Sequence, residues 1–155
     1  MAETLGSLVD KLSIKNLRVW HIDEALESGV LSQSQAAELH VKKELAEKQR
    51  DELIEEINGF LKLALEGKIK LRDQKLKLYQ NLNVKKTDGL DGLGAAITGL
   101  VERNIRLWHL EDEVRRPDIA DSRVADCKRQ IDTNNQERND LIDKVDQILE
   151  SKVRE

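Results

Sequence analysis

The sequence predicts an all-α protein, a four-helix bundle made of two duplicated antiparallel hairpins. Three observations carry this. Of 155 residues, 36% are charged, only 3% aromatic and a single one is proline, a composition of helix formers. Apolar residues recur with alternating spacings of four and three, the signature of helices packed along one another. Most tellingly, Asn16-Leu17-Arg18-Val19-Trp20-His21-Ile22-Asp23-Glu24 returns 88 positions later as Asn104-Ile105-Arg106-Leu107-Trp108-His109-Leu110-Glu111-Asp112.

The first predicted helix covers residues 5–27, with a seam of Leu5, Val9, Leu12, Asn16, Val19, Asp23 and Leu26. Gly29 breaks it, and Ser32 and Ser34 have the side chains that cap a following helix. That second helix runs from about 34 to 65 with a seam of Leu39, Lys43, Ala46, Arg50, Leu53, Ile57, Phe60 and Ala64. Residues 5–65 thus form one hairpin. Residues 66–92 differ: Lys68 to Arg72 and Lys75 to Tyr79 alternate basic and apolar with period two, and turn residues follow from Asn81 to Gly92. A basic, extended strap is expected there.

The second hairpin spans 93–153. Its seams are Leu93, Ile97, Leu100, Asn104, Leu107, Glu111 and Val114, then Cys127, Ile131, Asn134, Arg138, Leu141, Val145, Ile148 and Lys152. The constant offset, with identical pairs such as Gly6/Gly94, Arg50/Arg138 and Leu53/Leu141, reads as an internal duplication. One domain burying two seams against each other follows. The strap is long enough to run back along the bundle, so a ferritin-like crossover is favoured, with hairpin exchange between two chains as the alternative.

Composition also limits function. A net charge of −4 makes no general case for nucleic acid, and no apolar run approaches the ~20 residues that span a bilayer. The N-terminal residues lack the pattern of a signal peptide, and Cys127 is the one cysteine, which fits a reducing compartment. A cytoplasmic protein is expected, without nucleic-acid or membrane partners.

Three groups of residues could carry chemistry. Asn16, Arg50, Asn104, Asn134 and Arg138 occupy seam positions that otherwise hold aliphatic residues. Burying them unpaired would cost several kcal/mol, so they should form a hydrogen-bonded layer. Such a layer either sets register or, through its two arginines, holds an anion. His21 with Glu24, and His109 with Asp112, have the i, i+3 spacing of two ligands to one metal. The heptad places those side chains, and the carboxylates Glu52, Glu55, Asp140 and Asp143, away from the core, while Trp20 and Trp108 flank the seam and should anchor it. The acidic runs Glu52-Glu55-Glu56 and Asp140-Asp143-Asp146 could hold Mg²⁺ as in an all-α nucleotide pyrophosphohydrolase, or be an ordinary solvated face. The glycine-rich run 88–94 matches neither a phosphate loop nor a calcium loop, and Cys127 falls on a seam as a buried, inert thiol.

At Leu12-Ser13-Ile14-Lys15-Asn16-Leu17-Arg18-Val19-Trp20-His21 and Arg138-Asn139-Asp140-Leu141-Ile142-Asp143, the chain resembles a bacterial family of all-helical domains of unknown function. Its members look like repeats of an Asn-x-x-x-Trp-His-x-Glu/Asp helix and an Asn-x-x-Arg-Asn-Asp-Leu-Ile helix. In the first repeat Asp51 stands for Asn139 and Ala46 for Asn134, so a polar site would be asymmetric. The resemblance implies no activity. The expected function is therefore a non-enzymatic scaffold acting through a protein partner or self-association, with no cofactor. A phosphorylated or nucleotide ligand at the Asn/Arg layer is the second reading, and a metal-binding bundle the third.

Overall fold

A computed structural model describes residues 3–78 and 82–155. The expected turn residue Asn81, Tyr79 of the basic-apolar alternation, and the first two residues lie outside the described residues. The described chain is four helices: α1 (Leu5–Glu27), α2 (Gln33–Leu65), α3 (Leu93–Val114) and α4 (Asp121–Arg154). None of them is long and apolar enough to cross a membrane.

Local chemistry explains the ends of the first hairpin. Thr4 caps α1 in a reciprocal box, Ser7 N–H donating to Thr4 Oγ1 at 3.2 Å and Thr4 N–H to Ser7 Oγ at 2.9 Å. Ser32 and Gln35 repeat that device at α2. Gly67, with φ +68°, ends α2: Lys68 N–H reaches Leu63 O and Gly67 N–H reaches Ala64 O, satisfying carbonyls that the helix leaves open.

The packing is unequal. α1 lies against α2 on one side and against α3 and α4 on the other, whereas α2 packs extensively only on α1. The main apolar cluster sits at one end of the molecule, where Leu5, Leu8, Phe60, Ala64, Ala96, Val145, Ile148 and Leu149 meet. A second cluster, Leu100, Leu141 and Ile142, continues it between α1, α3 and α4. α2 joins this core through Phe60 and Ala64 near its C-terminus and otherwise buries only Ala46.

The first cluster also fixes direction. It gathers the beginnings of α1 and α3 and the ends of α2 and α4, so helix directions alternate along the chain. The long crossover of a ferritin-like order is thus not what the contacts describe. The strap instead leaves and returns at the same end. Arg72 pairs with Glu150, Lys75 with Asp143 and Lys77 with Asp140, a descent along α4. Lys85 N–H then donates to Glu137, and Leu90 turns back onto the second cluster before α3 begins. Its length goes into covering an acidic helix face rather than into crossing the molecule.

Three further expectations change. Trp20 does not anchor the core; it is 63% exposed. His21 does not face solvent alone, for the side of α1 opposite the α2 seam meets α3. The α4 carboxylates are likewise not all outward: Asp140 and Asp146 are buried.

Candidate functional site

The polar centre of the molecule is built from α1, α3 and α4. Asp10 is 5% exposed and receives both Arg138 Nε (2.8 Å) and Arg138 Nη2 (2.6 Å). Asn104, 4% exposed, donates through Nδ2 to Asp10 Oδ1 at 2.9 Å and to Ser13 Oγ at 2.6 Å. Ser13 Oγ donates in turn to the Asp10 carbonyl. The bidentate fork is the geometry in which a guanidinium best offsets a desolvated carboxylate. The Asp10 charge and hydrogen bond accordingly hold the Arg138 guanidinium above its ordinary value, against desolvation.

Of the five polar seam residues, the structure brings Asn104 and Arg138 together and separates the other three. Asn16 is exposed and its Nδ2 donates to Leu12 O within its own helix. Arg50 pairs with its neighbour Asp51 at 3.1 Å. The cause is the open side of the first hairpin. α1 covers the α3–α4 seam, but no third helix covers the α1–α2 seam, so equivalent positions differ in burial. Asn134 belongs to a second network, accepting from Arg103 Nη1 at 3.2 Å, while Arg103 also meets Glu137 at 3.0 Å. Arg103 Nε is the buried side-chain polar atom left without a partner among the described residues.

Asp10 and Ser13 were not found by sequence reasoning. Both lie off the predicted seam, and the one signal for them was that a buried Asn and Arg require an acceptor on a facing helix. Another buried acid, Asp146, accepts from Gly6 N–H at 2.7 Å at the start of α1. Burial pushes its carboxyl above the usual value although Gly6 and Thr4 donate to it. Gly6 permits that approach, since a Cβ there would stand 2.3 Å from Ile142 O.

The Trp-His motif resolves into a stack. His21 lies on Trp108 with ring centroids 4.5 Å apart and planes 6° apart, and His109 stands edge-on to His21 at 6.1 Å. His21 Nδ1 meets Glu24 Oε2 at 2.8 Å, so the i, i+3 pair touches, while Asp112 is exposed on α3. Among the described residues no group of three or more His, Cys, Asp or Glu side chains is placed to hold a metal ion. The acidic run on α4 is occupied by strap cations, as its ion pairs above record. Arg72 holds the Glu150 carboxyl below its ordinary value. Burial raises the Cys127 thiol, opposite to what activates a nucleophile.

Beside the Asp10 layer a cleft of about 370 Å³ opens between α1, α3 and α4. Asn104 and Arg138 line it together with Arg18, Trp108, Glu111, Arg115 and Asn135, over an apolar floor of Ile14, Leu17 and Leu107. A second cleft, of about 280 Å³, lies where the strap returns to α3 near Arg103 and Glu137.

Comparison with known proteins adds one finding. No curated protein and no solved structure matches the chain. Residues 1–72 and 95–155 match a family described as protein of unknown function (DUF4254), with the intervening gap falling on the strap. Since the match covers both hairpins, the chain belongs to that family.

Proposed function

We propose that the protein is a non-enzymatic helical scaffold, derived from a duplicated hairpin, which acts by protein contact and first of all by self-association. The single observation that carries this reading is the one-sided packing of α2. A 33-residue helix buries three of its residues, Ala46, Phe60 and Ala64, and leaves Val41, Leu45, Ile54, Leu63 and Leu65 exposed. A helix about 50 Å long at ~1.5 Å per residue is a large surface to hold on one neighbour alone.

Support for the duplication comes from burial. Leu8/Ala96, Val19/Leu107, Ile22/Leu110, Ala46/Asn134 and Phe60/Ile148 are related by the offset of 88, and both members of each pair are buried. The polar layer fits a scaffold because Asp10, Ser13, Asn104 and Arg138 use one another as partners, a register-setting clasp between α1 and the second hairpin. The lone, buried Cys127 suits the cytoplasm.

Light scattering across a concentration series tests the reading. The mass should rise toward that of a dimer, and Val41→Asp with Leu45→Asp, one turn apart on α2, should hold the chain monomeric. A monomer at every concentration, indistinguishable from the double variant, overturns it.

A further inference from the structure

We propose that the cleft between α1, α3 and α4 is a binding site for a nucleoside monophosphate, a planar base carrying a single phosphate group. The proposal is independent of self-association through α2, which lies on the far side of α1.

Three features of the cleft select this chemistry. The first is unspent positive charge. Arg18 and Arg115 line the cleft, and their side chains make no hydrogen bond or ion pair among the described residues, although ion pairs abound elsewhere on this acidic chain. Arg138 lines it too, with its guanidinium already steered by Asp10. Two uncommitted guanidinium forks offer more donors than one carboxylate can accept, whereas a phosphate presents three oxygens.

The second feature is a fixed aromatic wall. Trp108 lines the cleft and is immobilised from one side by the His21 stack, so its remaining surface offers a flat base a preset partner. The third is a pair of acceptors. Asn104 has committed its Nδ2 to Asp10 and Ser13, and the Asp10 carboxylate forces that orientation. What Asn104 has left to offer is its carbonyl oxygen, which suits an exocyclic amine of a base. Glu111, on the same cleft, would repel a bare anion but accepts from ribose hydroxyls. The volume of about 370 Å³ falls at the small end of ligand sites, which run from ~300 to ~1,000 Å³, and so suits one nucleotide rather than a dinucleotide.

The test uses the full chain bearing Trp20→Phe, so that Trp108 is the fluorescent indole, titrated with adenosine 5′-monophosphate, adenosine and inorganic phosphate. The monophosphate should quench Trp108 saturably, and more tightly than adenosine or phosphate alone. Arg18→Ala and Arg115→Ala, both exposed and unpaired, should each weaken it about tenfold or more with helix content unchanged. Arg106→Ala, exposed but outside the cleft, should leave it as it is. Absence of both saturable quenching and binding heat up to ~1 mM overturns the proposal. So does equal binding of phosphate alone, or binding that ignores both arginine substitutions. Isothermal titration of the unsubstituted chain guards against a silent fluorophore, and heat from the monophosphate that Arg18→Ala abolishes would support the site on its own.

Discussion

Asp10 concentrates more of this molecule's order than any other residue. Its carboxylate is taken out of water and answered by the Arg138 fork and the Asn104 amide. Removing Arg138 leaves a buried carboxylate without its countercharge, and removing Asp10 leaves a half-buried guanidinium and the Asn104 amide without their acceptor. Asp10→Ala should therefore cost about 2–4 kcal/mol in urea unfolding, and Arg138→Ala a similar amount. The double variant should lose much less than the sum, the mark of a coupled pair. A double variant equal to the sum would show that the clasp is not energetically one unit. Asp146 behaves in the opposite sense. Its carboxyl is raised by burial, so the folded state holds the proton more tightly than the unfolded chain. Its contribution to stability therefore falls as pH rises from about 4 through the folded value, and stays level above that. Asp146→Asn keeps an acceptor for Gly6 N–H and removes the desolvated charge. The stability of the variant relative to the parent should rise across that pH interval and be no lower at pH 7. A loss of more than about 1 kcal/mol at pH 7 would instead make the ionised carboxylate a net stabiliser. Two of the polar residues at this centre, Asn104 and Arg138, are legible in the sequence because they interrupt an aliphatic seam. Asp10 and Ser13 are not, and Asp146 is visible there only as part of an acidic run, not as a buried acid. They lie beside the seam, and only the presence of a third helix turns that flank into an interior.

The same asymmetry governs the helices. Reading one seam per helix works where a helix has one neighbour, as on α2, where Ala46, Phe60 and Ala64 are seam residues and are the ones buried. On α3, which has two neighbours, it works in part: Leu100, Asn104 and Leu107 lie on the predicted seam and are buried, but Ala96 and Leu110 are buried off it. On α1 it fails by half. Asn16 is on the seam yet exposed, while Leu8, Asp10 and Ser13 are off it yet buried, because α3 and α4 cover the other side. Glycine shows the difference between two positions that look equivalent. Gly6 and Gly94 both stand second in their helices at the offset of 88, but a Cβ at Gly6 would strike Ile142 O while one at Gly94 meets nothing within 4 Å. Gly6→Ala should force the α1–α4 contact apart and lower the melting temperature by several degrees or more, in line with the ~4–8 °C that 1 kcal/mol moves in a small domain and the ~2–4 °C it moves in a larger one. Gly94→Ala should be neutral or stabilise by up to about 1 kcal/mol, since alanine is the better helix former. Equal effects at the two sites would mean that α1 does not approach α4 as described.

At the scale of the whole molecule, the strap is the segment whose extended character the sequence makes plain and whose path it conceals. Its length permits a crossing, and length alone cannot tell crossing from an excursion. The path is set by charge: Arg72, Lys75 and Lys77 find Glu150, Asp143 and Asp140 on the neighbouring face of α4. Single ion pairs of this partly exposed kind are worth ~0–1 kcal/mol each, so the strap is held by several weak contacts rather than by a core of its own. Its apolar ends matter more, with Ile69 and Leu71 packed on the first cluster and Leu90 on the second. Those ends lie close. Arg72 sits at the level of Glu150 and Leu90 at that of Leu141, nine residues along α4, or ~14 Å. Replacing residues 73–89 by about eight Gly and Ser residues, with a reach of ~25 Å, should therefore leave the fold intact. Helix content by circular dichroism should be unchanged and stability should drop by about 1–3 kcal/mol, the sum of the lost ion pairs. Because α2 ends and α3 begins at the same pole, the shortened chain has only that short distance, and not the length of the bundle, to bridge. A crossover topology would give a different result: the linker could not span the bundle, and the chain would either lose its cooperative unfolding or exchange hairpins into a dimer.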